Sequence, residues 1–208
     1  GLTFLPFAQE DLRYATSHPT TSFPSVPETN APQTLTTANL TTIYSCGASG
    51  TTSHWSDFGA TSTDAVQALI PQPGSGIRRF FENSIGVSDA TIQAGVNSGC
   101  ILQVQDDDPA PIRANADRIG LFDVPLFTTK YSDSGIQLDA TGFSATHLDY
   151  NVLRVDGNGQ IANPRLVPIF GDGTATNPGW MCSPAAQAIV QQDGFSSITL
   201  PGHTCGVA

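Results

Sequence analysis

Apolar residues in this chain come in short runs divided by polar stretches, and the spacing within each run predicts an element. Residues 2–8 read as a strand, with 10–15 as a short helical turn behind it. Residues 17–32 are too dense in Pro, Ser and Thr to form an element. Leu40, Ile43 and Tyr44 share one face of a helix over 36–44, for which Thr36 or Thr37 is the N-cap. A polar loop over 47–53 leads to Trp55 and Phe58, read as packing anchors. Residues 66–70 form a buried strand, 71–74 break it, and 75–85 follow as a helix with Ile77, Phe80, Phe81 and Ile85 at core spacing. Residues 101–105 are a strand, 110–117 a helix, 119–122 a strand, and 125–131 a short amphipathic segment. Residues 136–150 look like a turn-rich connection. A strand over 150–155, a tight turn over 156–159 and a further strand over 165–170 come next. The last helix, 183–191, has Ser183 as its cap and Pro184 at its first position, and 197–200 closes the chain. Strands alternating with helices predict an α/β fold with a largely parallel sheet.

Charge narrows the partners. The 208 residues carry 8 basic and 18 acidic side chains, a formal net charge of -10, and Lys130 is the sole lysine. Such a chain repels nucleic acid and anionic membrane at long range. The apolar runs fall far short of the roughly 20 residues a membrane-spanning helix needs, so no membrane insertion is expected. An anionic ligand requires a strong local site, of the kind that the free N–H groups at a helix start provide. The four cysteines, Cys46, Cys100, Cys182 and Cys205, lack zinc-type spacing, and with few lysines and many Ser, Thr, Gly and Pro they point to a secreted, oxidising setting. Of the three possible pairings, Cys46–Cys100 with Cys182–Cys205 is favoured, because each encloses one local unit.

The chemistry concentrates in residues 68–86. A strand runs into a Pro/Gly break, and Gly74-Ser75-Gly76 then opens an amphipathic helix. The glycines let backbone approach a ligand, Ser75 offers a hydroxyl, the Ile77 N–H lies in the unpaired first turn, and Arg78 adds a cation. The predicted ligand-binding set is therefore Gly74, Ser75, Gly76, Ile77 and Arg78. A plain helix cap at Ser75 explains the same pattern without a ligand.

Four segments taken in order resemble the substrate-binding proteins of phosphate transport, the PstS-like group of the type II periplasmic-binding superfamily, especially secreted actinobacterial forms. They are LTFLPFAQEDLRYAT (2–16), LTTANLTTIYSCGASGTTSHWSDFG (35–59), PQPGSGIRRFFENSIG (71–86) and QDDDPAPIRANADRIGLFDVPLFTTKY (105–131). The resemblance implies a periplasmic-binding-protein-like lobe over 33–135 that carries the anion loop. It also implies a partial first lobe made of 1–32 and 136–208. It further implies a non-enzymatic protein that binds phosphate or a similar small oxyanion and needs no cofactor. The family pattern has a threonine after the second glycine and an arginine four residues before the serine. Here Ile77 and Pro71 stand in those places, so one hydroxyl and one cation are missing. Family members also carry a long stretch before the first matching strand, so either a missing N-terminal piece or self-association is expected to cover residues 1–15 and 140–208.

Two other classes compete. One is a structural or interaction module, an oligomer or filament subunit that kept the fold and lost the ligand. The other is a phosphoester hydrolase built on Ser75, although Pro73 removes the G-x-S-x-G elbow and His18, His54, His147 and His203 are scattered. Asp106, Asp107 and Asp108 read as a solvated acidic loop rather than a cation site, and Asp156-Gly157-Asn158-Gly159 reads as a hairpin turn. No metal site is predicted. Asn39-Leu40-Thr41 is a glycosylation sequon, with meaning only in a eukaryotic source.

Overall fold

The computed structural model describes all 208 residues. The chain divides into two compact units, Leu12–Ala145 and a second made of Gly1–Asp11 with Thr146–Ala208.

Strand β1 (Leu2–Ser17) runs through both. In the first unit, helix α1 (Thr37–Tyr44) and the short helix α2 (Cys46–Ser49) precede β2 (Gln67–Pro71). Helices α3 (Gly76–Ile85) and α4 (Asp89–Ser98) lead to β3 (Ile101–Val104). The short helix α5 (Pro109–Arg113), β4 (Arg118–Asp123), α6 (Val124–Leu126) and β5 (Ile136–Leu138) complete it. The strand order is β3-β2-β4-β1-β5. The trio β3, β2 and β4 is parallel, whereas β1 is antiparallel to β4 and β5. The main core lies on one side of this sheet, where Leu40, Ile43, Tyr44, Trp55, Phe81 and Ile92 pack with Leu12, Ala68 and Ile70. Leu69, Ile112, Phe122 and Ile136 fill the other side. Both faces of β2 are covered, which is why it reads as an unbroken apolar run.

In the second unit, strand β6 (Ser144–Arg154) pairs with β1, and Gly1 and Val155 exchange backbone hydrogen bonds at the end of that ladder. Helices α7 (Val167–Phe170) and α8 (Pro184–Gln192) follow. Leu5, Leu153 and Ile161 form its core. No helix of the chain is long and apolar enough to cross a membrane.

The favoured disulfides, Cys46–Cys100 and Cys182–Cys205, are both formed. The first holds α2 against α4, where a Cβ on Gly47 would overlap the backbone of Thr91, Ala94 and Gly95. Thr36 is the cap of α1 and Ser183 that of α8, as their sequence signals indicate.

Several elements differ from the sequence pattern. Residues 10–15 are strand, not a helical turn, because Leu12–Thr16 pair with β4 and Ala15–Ser17 pair with β5. Residues 136–150 hold β5 and most of β6 rather than turns. Residues 165–170 are helical instead of extended. Asn163 caps the turn by accepting from the Arg165 N–H at 3.1 Å, and Pro164 and Pro168 supply no N–H to a ladder. Helix α5 stops at Arg113 rather than 117, since Asn115 turns the chain by accepting from the Asp117 and Arg118 N–H groups. The loop over 47–53 begins with α2. Helix α4 has no counterpart in the sequence reading, although Ser88 caps it and Gly99 ends it at φ 84°.

Candidate functional site

The carboxyl ends of parallel strands are where open α/β sheets hold ligands, and the predicted loop stands there. β2 ends at Pro71 and β3 at Val104, and the segments that leave them run side by side. Gln72 Nε2 reaches Gln105 Oε1 at 3.4 Å, and the Ser75 hydroxyl donates to Asp106 Oδ2 at 2.7 Å.

Ser75 is the N-cap of α3. Its Oγ accepts from the Arg78 N–H at 3.2 Å and its carbonyl accepts from the Arg79 N–H at 3.3 Å. The Gly76 and Ile77 N–H groups therefore belong to the part of the first turn that has no helical carbonyl to meet. Gly74 adopts φ +93°, a conformation open to glycine and costly for other residues. Gly76 has an ordinary φ, and a Cβ there would touch nothing within 4 Å. Packing inside the chain thus gives no reason for glycine at position 76. The Ile77 side chain is partly buried against the main core, and its backbone N–H is the polar group it offers.

Arg78 is 1% exposed and serves as the hub beneath the loop. Its Nε donates to Glu82 at 2.8 Å, one Nη to Asp89 at 2.6 Å, and the other Nη to the Pro71 carbonyl at 3.1 Å. Burial raises the Glu82 pKa, and the ion pair with Arg78 offsets part of that rise. The guanidinium ties the end of β2 to the starts of α3 and α4, so much of its charge is balanced internally. A recess of about 200 Å³ opens over this hub, lined by Pro73, Gly74, Ser75, Arg79, Glu82 and Asp89 together with Arg78.

Of the five predicted residues, which are consecutive in the chain, Gly74, Ser75 and Arg78 line the recess, and Gly76 and Ile77 do not. Asp106 and Asp89 are the partners that sequence reasoning did not assign. Asp89 carries a readable signal as an acid beside a helix cap, whereas the Ser75–Asp106 contact depends on two strands lying side by side. The acidic run is divided in role, since Asp106 meets Ser75 and Asp108 caps α5 through the Ala110 N–H. Asp107 sits at φ 56°. In the sequon, Asn39 Oδ1 accepts from the backbone N–H and hydroxyl of Thr36 and so completes the cap of α1.

No family model matches the sequence, and neither does any curated protein. Solved structures do match. The ABC-type phosphate transport receptor of Vibrio cholerae superposes with a TM-score of 0.59 at 16% identity, over 95% of this chain and 73% of that one. PstS from Borrelia burgdorferi gives 0.55 at 15% identity, over 94% and 72%. A putative phosphate ABC transporter substrate-binding protein with bound phosphate, from Clostridium perfringens, gives 0.52 at 14%, over 96% and 73%. The chain has the PstS-like fold. At these identities it is the backbone arrangement that is shared. In this chain the loop between β2 and α3 carries a glycine-flanked serine, with an acidic residue on the hydroxyl.

Proposed function

We propose that this chain is a secreted, non-catalytic solute-binding protein whose α3 N-terminus holds a small oxyanion, phosphate or one like it. The carrying observation is the open start of α3. Two unobstructed glycines flank a capping serine at the carboxyl edge of three parallel strands, in a fold shared with phosphate receptors. In this reading Leu12–Ala145 is the ligand-carrying lobe. Gly74 and Gly76 give the anion access to backbone, the Gly76 and Ile77 N–H groups donate to it, and Ser75 orients the turn. Arg78, paired with Glu82 and Asp89, fixes the turn from beneath rather than presenting a free cation to the anion.

Calorimetric titration with phosphate, sulfate and small carboxylates tests the assignment, and absence of heat from all of them ends it. Gly76→Ala is the informative variant. Its methyl group meets no protein atom, so the melting temperature should hold, while the anion loses its approach and affinity falls about tenfold or more.

A second reading, an interaction module without a ligand, is favoured by the internal use of the site's charges. The single proton of Ser75 goes to Asp106, and Arg78 is ringed by Glu82 and Asp89.

A further inference from the structure

The unit Leu12–Ala145 has a larger recess, of about 520 Å³, that shares no lining residue with the α3 site. That size lies in the range of small-molecule pockets, roughly 300–1,000 Å³.

Its floor is polar and fixed. Tyr14 and Asp139 are 2% and 8% exposed. The Tyr14 hydroxyl accepts from the Leu35 N–H at 2.9 Å and is bonded to the Asp139 carboxylate, and burial followed by that bond raises the phenol pKa. Asp139 also accepts from the Thr141 N–H at 3.2 Å and the Gly142 N–H at 2.5 Å. The two walls, the loop after β1 and the turn after β5, are joined above this floor. Thr34 and Thr141 share a hydroxyl hydrogen bond of 2.9 Å, and the Phe143 N–H donates to the Leu35 carbonyl at 2.9 Å. A Cβ on Gly142 would overlap Asp139 Oδ2 and the Leu35 carbonyl, so glycine is what lets the walls approach. The recess is preorganised, and a ligand entering it orders little that is loose.

The groups free to take a ligand are mostly neutral. No Lys or Arg lines the recess, so it has nothing to hold an anion. Its two carboxylates are already engaged, since Glu28 on the rim lies 3.0 Å from the His18 ring and three donors surround Asp139. Hydroxyls and amides remain, from Thr16, Gln33, Thr34, Gln137 and Thr141. Gln137 Nε2 reaches Thr16 Oγ1 at 3.5 Å, the outer limit of a hydrogen bond, so both groups keep capacity for another partner. An amide presents two donors and an acceptor, a set that meets neighbouring hydroxyls of a polyol on both sides. We propose that this recess binds an uncharged polyhydroxylated molecule, a mono- or disaccharide or a polyol of that size.

A panel of neutral mono- and disaccharides and linear polyols, titrated calorimetrically up to about 10 mM, is the test. At least one member should bind with a Kd below about 1 mM. Gln137→Ala should weaken it about tenfold, with the melting temperature and any phosphate heat unchanged, and Thr34→Ala should also weaken it. No heat from the whole panel overturns the proposal. So does a saccharide that binds Gln137→Ala and Thr34→Ala as tightly as the original protein, since it would then be held elsewhere.

Discussion

Arg78 carries its charge to a place water does not reach, where it pairs with Glu82 in its own helix and ties that helix to the end of β2 and the start of α4. Glu82 and Asp89 balance it, so it shapes the α3 start more than it advertises a cation to solvent. The electrostatic counterpart is Asp106, whose carboxylate takes the Ser75 proton at the spot where a ligand oxygen would otherwise receive it. An anion entering there faces a like charge within about 4 Å, worth on the order of 1–2 kcal/mol once solvent screening is allowed for. Asp106→Asn removes that charge and frees the hydroxyl, so phosphate affinity should rise about tenfold by titration; an unchanged or lower affinity would place the anion somewhere else. The Ser75 cap and the flanking glycines were legible in the sequence, because capping is a local bargain between a side chain and the next three amides. The use of Arg78 and Asp106 was not, because both depend on neighbours distant in the chain.

At the scale of elements, strand pairing overrode local pattern. Residues 10–15 have no strong strand alternation, yet β4 and β5 claim them on either side. Residues 165–170 form a short apolar run that suits a strand by composition, but two prolines and the Asn163 cap make it helical. Pairing of β1 with β6 also sets up a titrating cluster within the second unit. Glu10 on β1 lies 2.8 Å from His147 on β6, with Asp149 two residues further along. Burial first, then the Glu10 charge, push the Asp149 pKa from 3.8 to about 6. Burial disfavours the His147 cation, but Glu10 outweighs it and the histidine pKa is raised. Both groups hold protons more tightly folded than unfolded, so their contribution is full at low pH and is lost as pH rises through their folded pKa values. Stability should therefore fall from about pH 5 to pH 8, by about 1 kcal/mol for the half-exposed Asp149 after discounting for solvent. Melting curves across that range check it. Asp149→Asn should flatten the slope, and a slope unchanged in that variant would move its origin to another group.

Over the whole molecule, the second unit leaves apolar surface in view. Leu2 and Phe4 on β1, and Tyr150 and Val152 on β6, are 41–60% exposed, with the Phe4 and Tyr150 rings edge to face at 6.2 Å. On the interaction-module reading, this patch is where another polypeptide would pack. Sedimentation at about 10–100 µM should show association, and replacing Phe4 and Tyr150 together with serine should abolish it. A monomer at all concentrations that also binds phosphate would speak against the interaction-module reading. The sequence by itself determined the α/β class, the caps of α1, α3 and α8 and the glycine-flanked serine, and it favoured the disulfide pairing that formed, since each rests on periodicity, capping or the enclosure of one local unit. Only the tertiary structure decided that β1 is one long strand, that Arg78 is buried among carboxylates, that Asp106 occupies the Ser75 hydroxyl, and that a second polar recess exists. Those outcomes follow from which strands lie side by side, and strand neighbourhood is a property of the packed sheet rather than of any local stretch of chain.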